Sequence, residues 1–207
     1  MIKSVIGLSE ELGINLYSLH PGFKHDLIPE KKEGFFIKYN EECNKREDFY
    51  QTLKSVQFTV GENFKIAVEN LSPKAPDDIY SYLCTPNDIK DFLEYFDNMP
   101  NIGILLDLGH LNVASNLLNF DKYEILNWLF SNYSGRIFEI HISENDGSKD
   151  LHRISELDSW QIKFLVDHRK NLKDIPLVLE WHNTPNEDAF ERYKMIAELL
   201  EDGEEGF

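Results

Sequence analysis

The stretch NIGILLDLGH, residues 101–110, runs apolar from Ile102 to Leu106 and then stops on Asp107, with His110 three residues later. A short run of Ile and Leu with no polar face is the pattern of a strand buried on both sides, and such strands belong to parallel sheets. Four other stretches repeat the pattern. LGINLYSLH (12–20) ends on His20 before Pro21-Gly22, and FKIAVENL (64–71) is apolar up to Glu69. RIFEIHIS (136–143) runs up to His141, and IPLVLEWHN (175–183) runs up to Glu180.

Helical patterns separate these runs. NDIKDFLEYFDNM (87–99) places Ile89, Phe92, Leu93 and Phe96 on one face. DKYEILNWLFSNY (121–133), SWQIKFLVDHRKNL (159–172) and NEDAFERYKMIAELLE (186–201) read the same way, and a further helix is expected at about 45–60. Thr85-Pro86-Asn87-Asp88 and Thr184-Pro185-Asn186-Glu187 each offer a Thr cap, a proline at the first helical position and an acid at the third. Strand and helix alternating in this way predict a parallel α/β architecture. Residues 22–44, with Pro29, Gly34 and mixed charge, read as a long loop or small insertion, and 202–207 as an acidic tail of a single domain spanning 1–207.

Composition bounds the function. The chain has 207 residues, 42% of them hydrophobic, enough for one sizeable core. No apolar run approaches a membrane span, and the first residues carry no signal-peptide pattern, so a cytoplasmic protein is expected. Cys43 and Cys84 are two unrelated thiols rather than a disulfide framework. The net charge of −16 repels a phosphate backbone and argues against nucleic acid as partner.

Each of the five strands ends on a side chain that can bind a metal: His20, Glu69, Asp107, His141 and Glu180. A parallel barrel gathers such ends on one face, where its active site lies. Asp150 and His152 form a D-x-H pair in the loop after His141, with Asn145-Asp146-Gly147 supplying the turn between them. Imidazole mixed with carboxylate suits zinc or manganese first, with magnesium or cobalt as further options.

The ordered series LHPG, VEN, LDLGH, EIHISENDGSKDLH and LVLE resembles the xylose isomerase-like TIM barrels, which include sugar isomerases and epimerases and endonuclease IV. The resemblance covers roughly residues 12–185 and implies an incomplete TIM barrel, its five strands matching the C-terminal part of the family's barrel. It implies that Glu69, Asp107, His141 and Glu180 are the metal ligands. It implies that Glu69 and Glu180 are also the acid/base pair, and that His110 contacts substrate or a further zinc. His20, Asp150 and His152 match additional zinc ligands of the endonuclease type.

From the residues themselves, Asn70, Lys149, Arg153 and Trp181 are candidates for substrate contact, and His182 reads as structural. The expected function is a divalent-metal-dependent isomerase or epimerase acting on a small sugar or sugar phosphate. The alternatives are a metal-dependent phosphodiesterase and a truncated barrel without catalysis. Two departures stand out. A full barrel needs about 250 residues, and nothing here matches the first three strands. Either the chain is part of a longer barrel or a second copy covers the open edges, so a homo-oligomer is an expectation. RISELDSW (153–160) also lacks the glycine-containing turn of the family, so the loop carrying Asp150 and His152 is expected to differ.

Overall fold

A computed structural model describes residues 7–9, 11–22, 26–31, 35–40, 45–61, 63–74, 81–182 and 185–201. In chain order the strands are β1 (Leu16–Leu19), β2 (Asp26–Lys31), β3 (Phe35–Asn40), β4 (Lys65–Glu69), β5 (Ile102–Asp107), β6 (Ile137–Ile142) and β7 (Leu177–Leu179). The helices are α1 (Arg46–Val60), α2 (Pro86–Tyr95), α3 (Leu108–Leu117), α4 (Lys122–Asn132), α5 (Trp160–Asp167) and α6 (Asn186–Glu201). Short 3-10 turns at Ser134–Arg136 and Arg169–Asn171 lead into β6 and follow α5.

The five expected strands form one parallel sheet in the order β1-β4-β5-β6-β7. The sheet curls through 213°, which makes it half of a barrel. Residues 22–44, expected as a loop or small insertion, contain a hairpin, with β2 and β3 paired antiparallel from Asp26↔Asn40 to Lys31↔Phe35. The expected Thr184 cap, Cys43 and the tail 202–207 lie outside the described residues. Cys84 is buried, its thiol donating to the Tyr82 carbonyl at 3.6 Å.

Alternation of side chains sends each strand's residues to two faces. One face carries Ile66, Val68, Ile104, Leu106, Ile140 and Ile142, none more than 1% exposed, packed with Phe92, Leu93 and Phe96 of the α2 segment, Leu126 and Leu129 of α4, and Ile162 and Leu165 of α5. Among the described residues the other face holds a small apolar group, Ala67, Leu105 and Phe138 with Leu16 beside them, beneath the polar strand ends.

Between β5 and β6 the register shifts, with Ile104 opposite Ile137 and Leu105 opposite Glu139. Phe138 is the extra residue of this bulge, and its ring lies over Gly103, where any Cβ would overlap both the ring and the Arg136 carbonyl. The bulge brings Glu139 and His141 into phase with Leu105 and Asp107.

Helix starts follow the chemistry of the termini. At α2, Thr85 Oγ1 accepts from Asp88 N (3.1 Å) and Asp88 Oδ2 accepts from Thr85 N (3.3 Å), the expected reciprocal cap. No described helix is long and apolar enough to cross a membrane.

Phe92 is fully buried and touches both Tyr50 and Phe96 at ring-centroid distances of 5.8 and 5.0 Å. Phe92→Ala is expected to cost about 3–5 kcal/mol, read from the denaturation midpoint of the metal-free protein.

Candidate metal centre

His20 and Glu180 sit one residue beyond β1 and β7, Glu69 and Asp107 close β4 and β5, and His141 lies within β6 directly opposite Asp107. The curl of the sheet brings these ends together. Ligand atoms of Glu69, Asp107, His141 and Glu180 all lie within 4.8 Å of one another. His20 Nε2 is 2.7 Å from Glu69 Oε2, although His20 is 73% exposed and Glu69 only 3%.

His110 enters from the first turn of α3, a helix with no separate signal in the sequence. Asp107 starts that helix: its Oδ1 accepts from His110 N at 2.7 Å. Its other oxygen, Oδ2, is then left for the site. Gly109, between them, lies where a Cβ would collide with Ser143 Oγ and crowd the Ser143 carbonyl. This contact accounts for glycine in LDLGH.

His110 Nδ1 lies 2.9 Å from the Asn70 carbonyl, 3.2 Å from Glu69 Oε1 and 3.6 Å from Asp107 Oδ2, and Nε2 is 3.1 Å from Asp150 Oδ2. Asp150 in turn meets His152 Nε2 at 2.7 Å.

The loop between β6 and α5 returns Asp150 and His152 over the site, as expected. Asn145 Oδ1 accepts from Gly147 N (3.0 Å) and from Asn112 Nδ2 (2.8 Å), and Asn145 Nδ2 donates to the Gly109 carbonyl (2.9 Å). Glu144 and Arg153 close the loop with two backbone hydrogen bonds, at 2.9 and 3.0 Å. Beyond it, Ser155 is fully buried and Ser159 caps α5, so a turn without glycine still leads into the helix.

A family model, the xylose isomerase-like TIM barrel, matches residues 1–201. The chain belongs to this family. It is 24% identical over 202 residues to an uncharacterised protein of Methanocaldococcus jannaschii, covering 97% of this chain and 61% of the relative. It is also 24% identical over 205 residues to the "probable endonuclease 4" of Ureaplasma parvum, covering 94% and 61%. The chain thus spans about three-fifths of the length of these curated relatives. Its fold is similar to that of a D-tagatose 3-epimerase-like protein (TM-score 0.63, 24% identity, 96% of this chain and 66% of that one). It is also similar to a Thermus thermophilus protein described as soaked with zinc chloride (TM-score 0.57, 18% identity, 96% and 66%).

All eight expected ligands of this xylose isomerase-like chain therefore join one network. The expected substrate contacts fare differently. The Asn70 side chain is committed to the backbone of Asp107, accepting from its N–H at 2.7 Å and donating to its carbonyl at 3.0 Å, so it clamps two strand ends together. Lys149 and Arg153 are exposed on the loop. Trp181 is half-buried against the core.

One residue of the network was missed. Glu139 Oε1 lies 3.1 Å from His141 Nε2, while its other oxygen accepts from Ser18 Oγ on β1. The E-x-H alternation of β6 was its only signal in the sequence.

Protons offset part of the charge in this network. Burial pushes His110 down, but the carboxylates of Asp150, Glu69 and Asp107 raise it to about 11. Burial likewise opposes a charged His141, and Glu139 and Glu180 raise it to about 10. The hydrogen bond from His141 lowers Glu180 to about 2 and also holds Glu139 down. Burial lifts Asp107 to about 6, against the pull of His110. Asp107 Oδ2 is buried and has no hydrogen-bond partner among the described residues, with His110 Nδ1 and His141 Nδ1 at 3.6 and 3.9 Å. An unpartnered carboxylate oxygen costs free energy that a cation would recover. Three carboxylates and one imidazole fit manganese or zinc.

Two outcomes follow. In the metal-free protein the raised histidines stabilise the fold fully below their unfolded value of about 6.5. That contribution is lost as pH rises through about 10 to 11, so the melting temperature in chelator should fall from pH 7 to pH 10. Glu139→Gln should weaken zinc or manganese binding about 10- to 100-fold, measured by competition with a chromogenic chelator.

Proposed function

We propose that this chain carries the site of a divalent-metal-dependent isomerase or epimerase acting on a small sugar or sugar phosphate. The observation that supports it is the buried Asp107 Oδ2, without a hydrogen-bond partner among the described residues, within the Glu69, Asp107, His141 and Glu180 cluster. A divalent ion held by those four residues would supply positive charge to substrate carbonyl and hydroxyl oxygens and so ease loss of a proton from the neighbouring carbon.

The chain's own groups would do the rest. Glu69 and Glu180 stand on strands at opposite sides of the cluster, β4 and just past β7. Glu180, 33% exposed, faces the open side, whereas Glu69 is enclosed between His20 and His110. One carboxylate takes the proton from carbon and the other returns it on the second face or the second carbon. His110, its ring nitrogens engaged by the Asn70 carbonyl, Glu69 and Asp150, would hold Glu69 in place beside the substrate. The −16 charge agrees with a small substrate bound through a cation rather than through a basic surface.

A second reading is a phosphodiesterase of the endonuclease IV type. It is favoured by the continuous chain His110–Asp150–His152, at 3.1 and 2.7 Å, which adds nitrogen and oxygen donors beyond the four-residue cluster.

Screening sugars and sugar phosphates in deuterated water with manganese or zinc should reveal carbon-bound proton exchange. Glu69→Gln and Glu180→Gln should each reduce it by about 10²-fold or more, on the order expected for a lost acid or base. Exchange that survives both changes would sink the isomerase reading. Chelator-sensitive cleavage of an abasic-site duplex, without exchange, would put the phosphodiesterase in its place.

A further inference from the structure

We propose that Ser18 is a positioning residue for the metal centre: through Glu139 it fixes the ring of His141, and so ties the first strand of the sheet to the ligand cluster on its far side. This rests on the metal-dependent reading above, and it gives a role to a residue that neither the strand ends nor the D-x-H loop pointed to.

Alternation puts both residues on the inner face, one step below the ligands. Ser18 precedes His20 by two on β1, and Glu139 precedes His141 by two on β6. These strands are not neighbours, since β4 and β5 lie between them. The curl of the sheet nevertheless brings Ser18 Oγ to Glu139 Oε2, to which it donates a hydrogen bond. The bond is a chord across the half-barrel. The row it crosses is small: Ser18 is opposite Ala67, and Ala67 is opposite Gly103. Bulky branched residues dominate the interior of a parallel barrel; here a serine and a glutamate occupy that layer.

A carboxylate in such a place has to be satisfied. The Glu139 side chain is only 14% exposed, and both of its oxygens are engaged, Oε1 by His141 Nε2 at 3.1 Å and Oε2 by Ser18. The terminal torsion of an unrestrained glutamate is broad. With Oε2 held from β1, Oε1 stays on the imidazole. The other ring nitrogen, His141 Nδ1, faces Glu180 at 3.1 Å and Asp107 at 3.9 Å. A carboxylate behind a histidine sets the orientation of the ring and the basicity of the nitrogen that faces the ligand set. Ser18 thus acts on the centre through two successive hydrogen bonds rather than as a ligand.

The chord also restrains β1. Among the described residues this strand is an edge, bonded to β4 alone, and all four of its residues are half-buried. His20 at its end lies 2.7 Å from Glu69 Oε2, so the placement of β1 bears on a second member of the cluster.

The test is zinc affinity, by competition with a chromogenic chelator, in Ser18→Ala, Ser18→Val and Ser18→Thr. Thr keeps the hydroxyl and Val has the same shape without it, so this pair separates the hydrogen bond from packing. Ser18→Ala and Ser18→Val should each weaken zinc about tenfold, the low end for a partner behind a ligand, and Ser18→Thr should bind as wild type does. In the Glu139→Gln background Ser18→Ala should add nothing, because the path is already broken. In the zinc-loaded protein the ring N–H proton of His141, followed by nuclear magnetic resonance, should exchange with water faster in Ser18→Val than in Ser18→Thr. Melting curves check that each variant is folded, and the Thr and Val pair decides if Ser18→Ala is not. Wild-type affinity in Ser18→Val would overturn the proposal, as would equal losses in Thr and Val or a loss that adds to that of Glu139→Gln. Zinc bound tightly but indifferent to Ser18 overturns this proposal and leaves the metal-dependent reading standing. No zinc in wild type overturns both.

Discussion

Carboxylates converge at one end of this sheet, and their charge has to be met. Glu69, Asp107, Glu139, Asp150 and Glu180 all touch histidines of the same network. Burying such a group without a counter-charge is prohibitive. Protonated His110 and His141 meet part of the demand, and Asp107 Oδ2, without a hydrogen bond among the described residues, marks the part they leave. Much of the local structure is arranged around this. Asn70 spends its whole amide on fixing the β5 terminus, and Asp107 divides its two oxygens between starting α3 and facing the cluster. A carboxylate anchored in this way can turn little, so the site is set by backbone rather than by rotamer choice.

Stability and chemistry occupy opposite faces of one sheet. The face carrying Ile66, Val68, Ile104, Leu106, Ile140 and Ile142 supplies the core, with aromatic rings from α1 and α2 closing it. The other face is thin in apolar contacts, with Ala67, Leu105 and Phe138 under the polar ends. The bulge at Phe138 couples the two. Without the extra residue, Glu139 and His141 would fall out of phase with Asp107 and point toward the core.

The strands and the polar residues at their ends were legible because a strand buried on both faces is apolar throughout, so a charge at its end stands out. What was not legible depends on contacts between distant residues. Glu139 looked like an ordinary strand acid, since its partner Ser18 lies 121 residues away. The α3 helix begins directly from the β5 terminus, with Asp107 serving as both strand end and cap, so no break in pattern announced it. The β2–β3 hairpin is an antiparallel pair whose strands are mixed in charge and contain Pro29, which hides the alternation that reveals a strand. Asn70 was equally plausible as a clamp or a substrate contact, and only the Asp107 backbone geometry separates the two.

The protons on His110 and His141 also explain how the site can exist before an ion arrives. Without them, the converging carboxylates would repel one another and splay the strand ends. With them, the strand-end groups are held in place at neutral pH. His141 Nδ1, now 3.1 Å from Glu180, must give up its proton to become a ligand. Its other nitrogen keeps a proton toward Glu139, which raises the basicity of the nitrogen that binds. The same carboxylate that now pairs with His141 would thus strengthen its hold on a cation, with one proton displaced.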